Sequence, residues 1–182
     1  MKLIRSWPKT IPEGRGYVVD GIDRLVMEGF DYRCLADVDD DVVLIEWDIA
    51  IGGDELAEFM RRAADDPEQV RVSPYLLYPP STGGNGKFYC HRIRAAGGVR
   101  WVAGPEDAYC HMFGFGLIYL PRAYTLQFME TLRSKDRFTD TTFSYWHHRH
   151  RGIRKQVPID WDLPAVHLHY DLPEVPDCTT PR

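Results

Sequence analysis

The sequence predicts a single α/β domain built on a mixed, mostly parallel sheet flanked by helices. Three observations carry that expectation. Val42-Val43-Leu44-Ile45 is an apolar, largely β-branched run of the kind that forms a strand buried on both faces. Strand-like and helix-like segments alternate along the chain, the pattern of helices packed on a sheet. At 182 residues the chain is long enough for one substantial core and short for two.

After a short N-terminal strand or arm, residues 17–30 read as a helix, because Ile22, Leu25, Val26 and Phe30 fall on one apolar face. The acidic run from Asp37 to Asp41 then leads into the strand at Val42. A second helix over residues 54–64 turns Leu56, Phe59 and Met60 inward and stops before Pro67. Residues 70–77 read as a strand closed by Pro79-Pro80. Residues 81–87 are a loop of turn formers suited to a lid; they lack the spacing and the following Ser or Thr of a P-loop, which excludes nucleoside-triphosphatase chemistry of that type. Residues 99–102 and 117–120 continue the strands, and Pro121 opens a helix to about Leu132. A third helix starts at Thr139 or Asp140, both good N-caps, and stops at Gly152, a good C′ residue. Residues 165–169 form the last strand. Residues 1–171 make the domain, and residues 172–182 a Pro-rich tail.

The hydrophobic share of 44% and charged share of 27% are those of an ordinary globular protein, so extended disorder is not expected. A net charge of −5 argues against a surface that grips nucleic acid all over. The basic run from His147 to Lys155 is the exception, read either as a solvated helix end or as a phosphate-facing patch. No apolar stretch is long enough to cross a bilayer and residues 1–8 lack a signal-peptide core, so a cytoplasmic protein is expected. The four cysteines are scattered, as incidental thiols are. Tyr89-Cys90-His91 and Tyr109-Cys110-His111 form the one visible repeat, but adjacent residues on a strand point to opposite faces and no C-x-x-C occurs, so zinc is not expected there.

Chemistry concentrates at the end of the central strand. Glu46 and Asp48 follow the apolar run, and strand alternation points both to one side with Trp47 on the other. An open pair of carboxylates suits a hard divalent cation, Mg²⁺ or Mn²⁺, that also binds phosphate oxygens. The competing reading is that the two acids cap a strand and face water.

Glu46-x-Asp48, Gly114-Phe115-Gly116, Asp140 at a helix start and His167-Leu168-His169 in the last strand occur in an order that resembles the GT-A class of nucleotide-sugar glycosyltransferases. The resemblance spans about residues 41–171. It implies a metal on a DXD-like motif, Glu46 and Asp48, completed by His167 or His169. It also implies a glycine loop, Gly114 to Gly116, bordering the acceptor, and Asp140 as the base of an inverting transfer. His150, Arg151 and Arg154 would meet the diphosphate, and Trp47 would stack on donor or acceptor. The donor is a nucleoside-diphosphate sugar; acceptors include envelope glycans and modified DNA bases, as in bacterial or bacteriophage enzymes. Two departures stand out: Glu replaces the commoner first Asp, and only about forty residues precede it. The nucleotide-binding half is therefore abbreviated, borrowed from a partner subunit in a homo-oligomer, or built differently. Structural roles compete at each position: N-cap for Asp140, tight turn for the glycines, sheet-edge packing for the histidines. The competing functional classes are a metal-dependent hydrolase or nuclease and a non-catalytic sugar-nucleotide-binding module.

Overall fold

A computed structural model of the chain describes residues 1–11, 22–77, 88–95 and 97–168. In order they form β1 (Lys2–Pro8), β2 (Asp23–Met27), a 3-10 turn (Tyr32–Asp37), β3 (Val42–Glu46), β4 (Ile49–Ala50), α1 (Gly53–Asp65), β5 (Arg71–Val72) and β6 (Leu76–Leu77). Then come β7 (Phe88–Tyr89), β8 (His91–Ala95), β9 (Gly98–Trp101), β10 (Tyr109–Cys110), β11 (Met112–Phe113), β12 (Leu117–Leu120) and α2 (Arg122–Thr131). The last elements are α3 (Asp140–His150), a 3-10 turn (Gly152–Lys155), β13 (Val157–Pro158) and β14 (Val166–His167).

The central sheet has the order β2-β1-β3-β12-β5. β1 pairs parallel with β2 and β3, while β12 pairs antiparallel with β3 and β5. Four strands thus run one way and β12 runs against them, making an α/β domain with a mixed sheet. β3 is covered on both sides, as its apolar run requires. Val42 and Leu44 pack with Phe128, Phe143 and Trp146 of α2 and α3, and Val43 and Ile45 pack with Phe59 and Ala63 of α1. Among the described residues no helix is long and apolar enough to cross a membrane.

The predicted helix over residues 17–30 is corrected where it is described: residues 23–27 are a strand, and residues 12–21 lie outside the described residues. Its apolar positions fit two periods. Pairing to β1 selects the period of two, burying Met27 and leaving Val26 47% and Phe30 54% exposed. The strand expected over residues 70–77 is interrupted after Val72, where Pro74 has no N–H to donate, and resumes at Leu76. The predicted lid over residues 81–87 and the tail over residues 172–182 lie outside the described residues.

The topology marks one place for a ligand. The chain leaves β1 for β2 on one side and returns to β3 on the other, so the crevice at the carboxyl ends of β1 and β3 is a switch point, where open α/β sheets bind ligands. The register sets Ser6 beside Glu46 there.

Candidate functional site

Glu46 is the last residue of β3, held by a backbone hydrogen bond from its N–H to the Gly116 carbonyl at 2.8 Å. The strand stops here; Trp47 and Asp48 form a turn before β4. The geometry that brings Asp48 to the site is therefore a turn and a second pairing rather than strand alternation. β14 lies antiparallel to β4 with His167 opposite Ile49, which sets His167 Nε2 3.2 Å from Asp48 Oδ2. The Leu168 N–H bonds the Asp48 carbonyl at 2.8 Å and fixes the same junction. Asp140 enters from another direction, at the first turn of α3, whose N-cap is Thr139 in a reciprocal capping box with Thr142. The cap is therefore supplied by Thr139, and the Asp140 carboxylate accepts from the Thr141 N–H at 2.5 Å and its hydroxyl at 3.1 Å.

These segments enclose a cavity of about 420 Å³ lined by Glu46, Asp140, Thr141, His167, Tyr32 and Tyr75, among others. That volume lies in the range of small-molecule sites. Tyr75 is its buried floor, stacked on His167 with ring centres 6.0 Å apart and edge-on to His91 at 5.7 Å. A second, smaller cavity of about 70 Å³ shares Cys90, Asp140 and Thr141 and continues past Arg92, Trp101 and Tyr145.

The electrostatics are those of an acid cluster with Arg5 buried behind it, its Nη1 donating to the Glu46 and Ile49 carbonyls at 2.9 and 3.2 Å. Burial first, and then the nearby Asp48 and Asp140 charges, push Glu46 up to about 8, although Tyr32 donates its hydroxyl to the Glu46 carboxylate. Asp140 is also raised by burial, against its Thr141 hydrogen bonds and the Arg92 charge. Burial pushes Cys90 up to about 12, with Asp140 and Glu46 adding to it. Asp48 Oδ1 is buried and has no hydrogen-bond partner among the described residues. Such an oxygen is costly unless something pairs with it.

Comparison with known proteins finds a shared fold. The chain is similar in structure to A197 from STIV. The TM-score with that crystal structure is 0.52, at 12% sequence identity, over 92% of this chain and 85% of the other. At that identity the likeness concerns the fold alone. No protein-family model matches the chain, and no curated protein matches it.

The structure gathers Glu46, Asp48, Asp140 and His167 at one crevice; His169 lies outside the described residues. Among the described residues no three His, Cys, Asp or Glu side chains converge as a ready metal cluster. Trp47 is buried edge-on to Trp7 at 6.3 Å. Phe115 is fully buried, packed edge-on to Tyr32 at 4.8 Å. Gly114 and Gly116 are explained by Tyr75 and Cys90: a Cβ on Gly114 would sit 2.6 Å from Cys90 Sγ, and one on Gly116 2.6 Å from Tyr75 Cζ. Gly114 also lines the smaller cavity.

The basic residues lie elsewhere. Asp140 begins α3 and His150 ends it, so ten residues of helical rise, about 15 Å, separate them. There His150 stacks on Trp146, Arg151 sits 4.1 Å over the Tyr124 ring, and Arg154 pairs with Asp66 at 3.0 Å. His147 is fully buried among aromatic rings. Sequence reasoning did not place Tyr32, Tyr75 or Arg92 at the site, and met Cys90 only within the Tyr-Cys-His repeat. They come from separate segments, a 3-10 turn, two inter-strand positions and β8, which carry no local signal of convergence; the glycines at 114 and 116 hinted at a close approach without showing by what.

Proposed function

We propose that this chain is a metal-dependent glycosyltransferase acting on a nucleoside-diphosphate sugar at the crevice between β1 and β3. The observation that carries the reading is the partly buried acid cluster of Glu46, Asp48 and Asp140, with one Asp48 oxygen unpartnered among the described residues and two of the acids raised. Excess negative charge in a cavity sized for a small molecule supports a cationic occupant shared with an anionic ligand. Asp48 and His167 would hold Mn²⁺ or Mg²⁺, with Glu46 beside them and phosphate or water oxygens completing the shell. Bound there, the ion supplies stabilisation of the charge that develops on the leaving diphosphate.

Asp140, which lines both cavities, would hold the acceptor hydroxyl at their junction. The acceptor oxygen bonds to the anomeric carbon, that carbon's bond to the diphosphate oxygen breaks, and the hydroxyl proton passes to the Asp140 carboxylate. Its raised affinity for protons, set by burial, suits it to that task. Tyr32 steadies Glu46, and Tyr75 with His167 forms the stacked wall against which the donor lies.

Thermal unfolding with UDP, GDP, CDP, ADP and TDP, each with and without Mn²⁺, tests the reading. A nucleotide at about 100 times its Kd adds about 2.7 kcal/mol of stability. For a chain of this size that is a rise of about 5–11 °C. The expected result is such a rise for one nucleotide, dependent on the metal and lost in Asp48→Ala. No rise for any pair, or a rise unchanged in Asp48→Ala, overturns the assignment.

A further inference from the structure

The smaller cavity beside Asp140 opens onto a surface whose charge is opposite to that of the chain as a whole. Pairing across the β8–β9 hairpin sets Arg92 opposite Trp101 and Arg94 opposite Val99, and directly opposed residues share one face of a sheet. The Arg92 guanidinium lies 4.1 Å over the Trp101 ring. Trp101 and Tyr145 line the cavity yet stay 37% and 46% exposed. Farther along, Arg94 Nη1 is 3.5 Å from His148 Nε2, and the His148 ring meets His111 edge-on at 5.1 Å. His111 in turn meets the exposed Tyr109 ring. Arg149 and Lys155 belong to the same patch: besides burial, the charges of Lys155, Arg94 and Arg149 hold His148 below the usual histidine range.

Not every cation here is spent within the protein. Arg100 is taken up by Asp107 through two hydrogen bonds of 2.6 and 2.7 Å. Arg92, Arg94, Arg149 and Lys155 have no carboxylate within 4.0 Å among the described residues. Four cations with no carboxylate partner among the described residues, interleaved with partly exposed aromatic rings, form a strip that begins at Asp140 and runs outward along the hairpin and α3.

We propose that this strip binds single-stranded nucleic acid, with phosphates on Arg94, Arg149 and Lys155 and bases stacked on Trp101 and Tyr145. Cations alone would serve any polyanion. The exposed rings favour a strand whose base faces are free, since a duplex hides those faces in its own stack. On the transferase reading the strand is the acceptor whose hydroxyl reaches Asp140; that role rests on the proposed function, whereas the binding does not.

Fluorescence anisotropy of a labelled oligothymidylate against the full chain tests the surface. With three phosphate contacts the log–log salt slope is about −2.1, so affinity falls about 20-fold between about 50 and about 200 mM salt. Arg149→Glu with Lys155→Glu, both on exposed side chains, should cut that slope to about a third or less, and Trp101→Ala should weaken binding about tenfold with the slope unchanged. Absence of binding at low salt overturns the proposal. So does tighter binding of duplex, or binding of a heparin oligosaccharide at equal affinity with Trp101→Ala without effect, which would make this a general polyanion surface. Nucleotide-dependent stabilisation measured on the same variants separates the two readings. If oligonucleotide binding persists where no nucleotide responds, the transferase reading fails alone; if only oligonucleotide binding is missing, the strip fails alone.

Discussion

Replacing Glu46 with Gln removes one charge from the acid cluster while keeping an oxygen to accept the Tyr32 hydroxyl. Glu46 is raised from 4.5 to about 8, chiefly by burial and then by Asp48. Between those values the folded chain binds more protons than the unfolded one, so the contribution of Glu46 to stability falls as pH rises from about 4.5 to about 8. At pH 7 the interval above 4.5 corresponds to a ceiling of about 3 kcal/mol. Water reaches the carboxylate from the open side of the cavity and screens part of this, leaving about 1–2 kcal/mol, or about 2–8 °C in Tm. In metal-free buffer, thermal unfolding by circular dichroism should give matching curves for Glu46→Gln and the parent near pH 5 and a more stable variant at pH 8. The same variant should lose most of the Mn²⁺-dependent response to nucleotide, because the charge that strains the empty fold is the charge that attracts the ion. Equal stability at pH 8, or a difference that grows toward acid, would refute the reasoning.

Three further outcomes are expected. His147 is pushed down to about 3 by burial and then by the Arg151 and His148 charges, so protonation of the unfolded chain costs stability as pH falls from about 6.5 toward 3; His147→Leu should add about 1–2 kcal/mol at pH 5 and make the acid limb of a stability profile shallower. An unchanged limb would leave His91, also buried and pushed down to about 4, as the group responsible. Gly116→Ala drives a Cβ into the Tyr75 ring, which is wedged between His91 and His167, and should cost about 1–3 kcal/mol in denaturant unfolding. A neutral result would mean that the ring is free to move away. Asp140→Asn should reduce sugar transfer at least about 100-fold while leaving the metal-dependent nucleotide shift and the Thr139 cap intact; full activity would remove Asp140 from the base role.

Local chemistry explains which of these features the sequence discloses. α3 carries its own start and stop, since Thr139 caps the first turn and Gly152, at φ +56°, ends the run in a conformation that favours glycine. β3 announces itself because alternate residues face two different cores, so all four of Val42 to Ile45 must be apolar. Residues 23–27 mislead for the converse reason. Their pattern is compatible with helix or strand, and the deciding hydrogen bonds come from β1, which no local window contains. The acids at the end of β3 are conspicuous because carboxylates at the close of a buried strand need a reason to be there.

The sequence by itself therefore determined the α/β class, the central strand and the residues of the acid cluster, because propensity, capping and burial are written within a few positions of each element. Which of those residues meet was decided only by the tertiary structure. The antiparallel return of β14 onto β4 brings His167 to Asp48 across more than a hundred residues of chain. The length of α3 carries the predicted diphosphate contacts His150, Arg151 and Arg154 away from Asp140; the cations at the crevice are instead Arg5 of β1, whose Nη1 donates to the Glu46 carbonyl at 2.9 Å, and Arg92 of β8, which lines the smaller cavity. Convergence of distant segments depends on strand order and register, and those are set by the whole sheet at once.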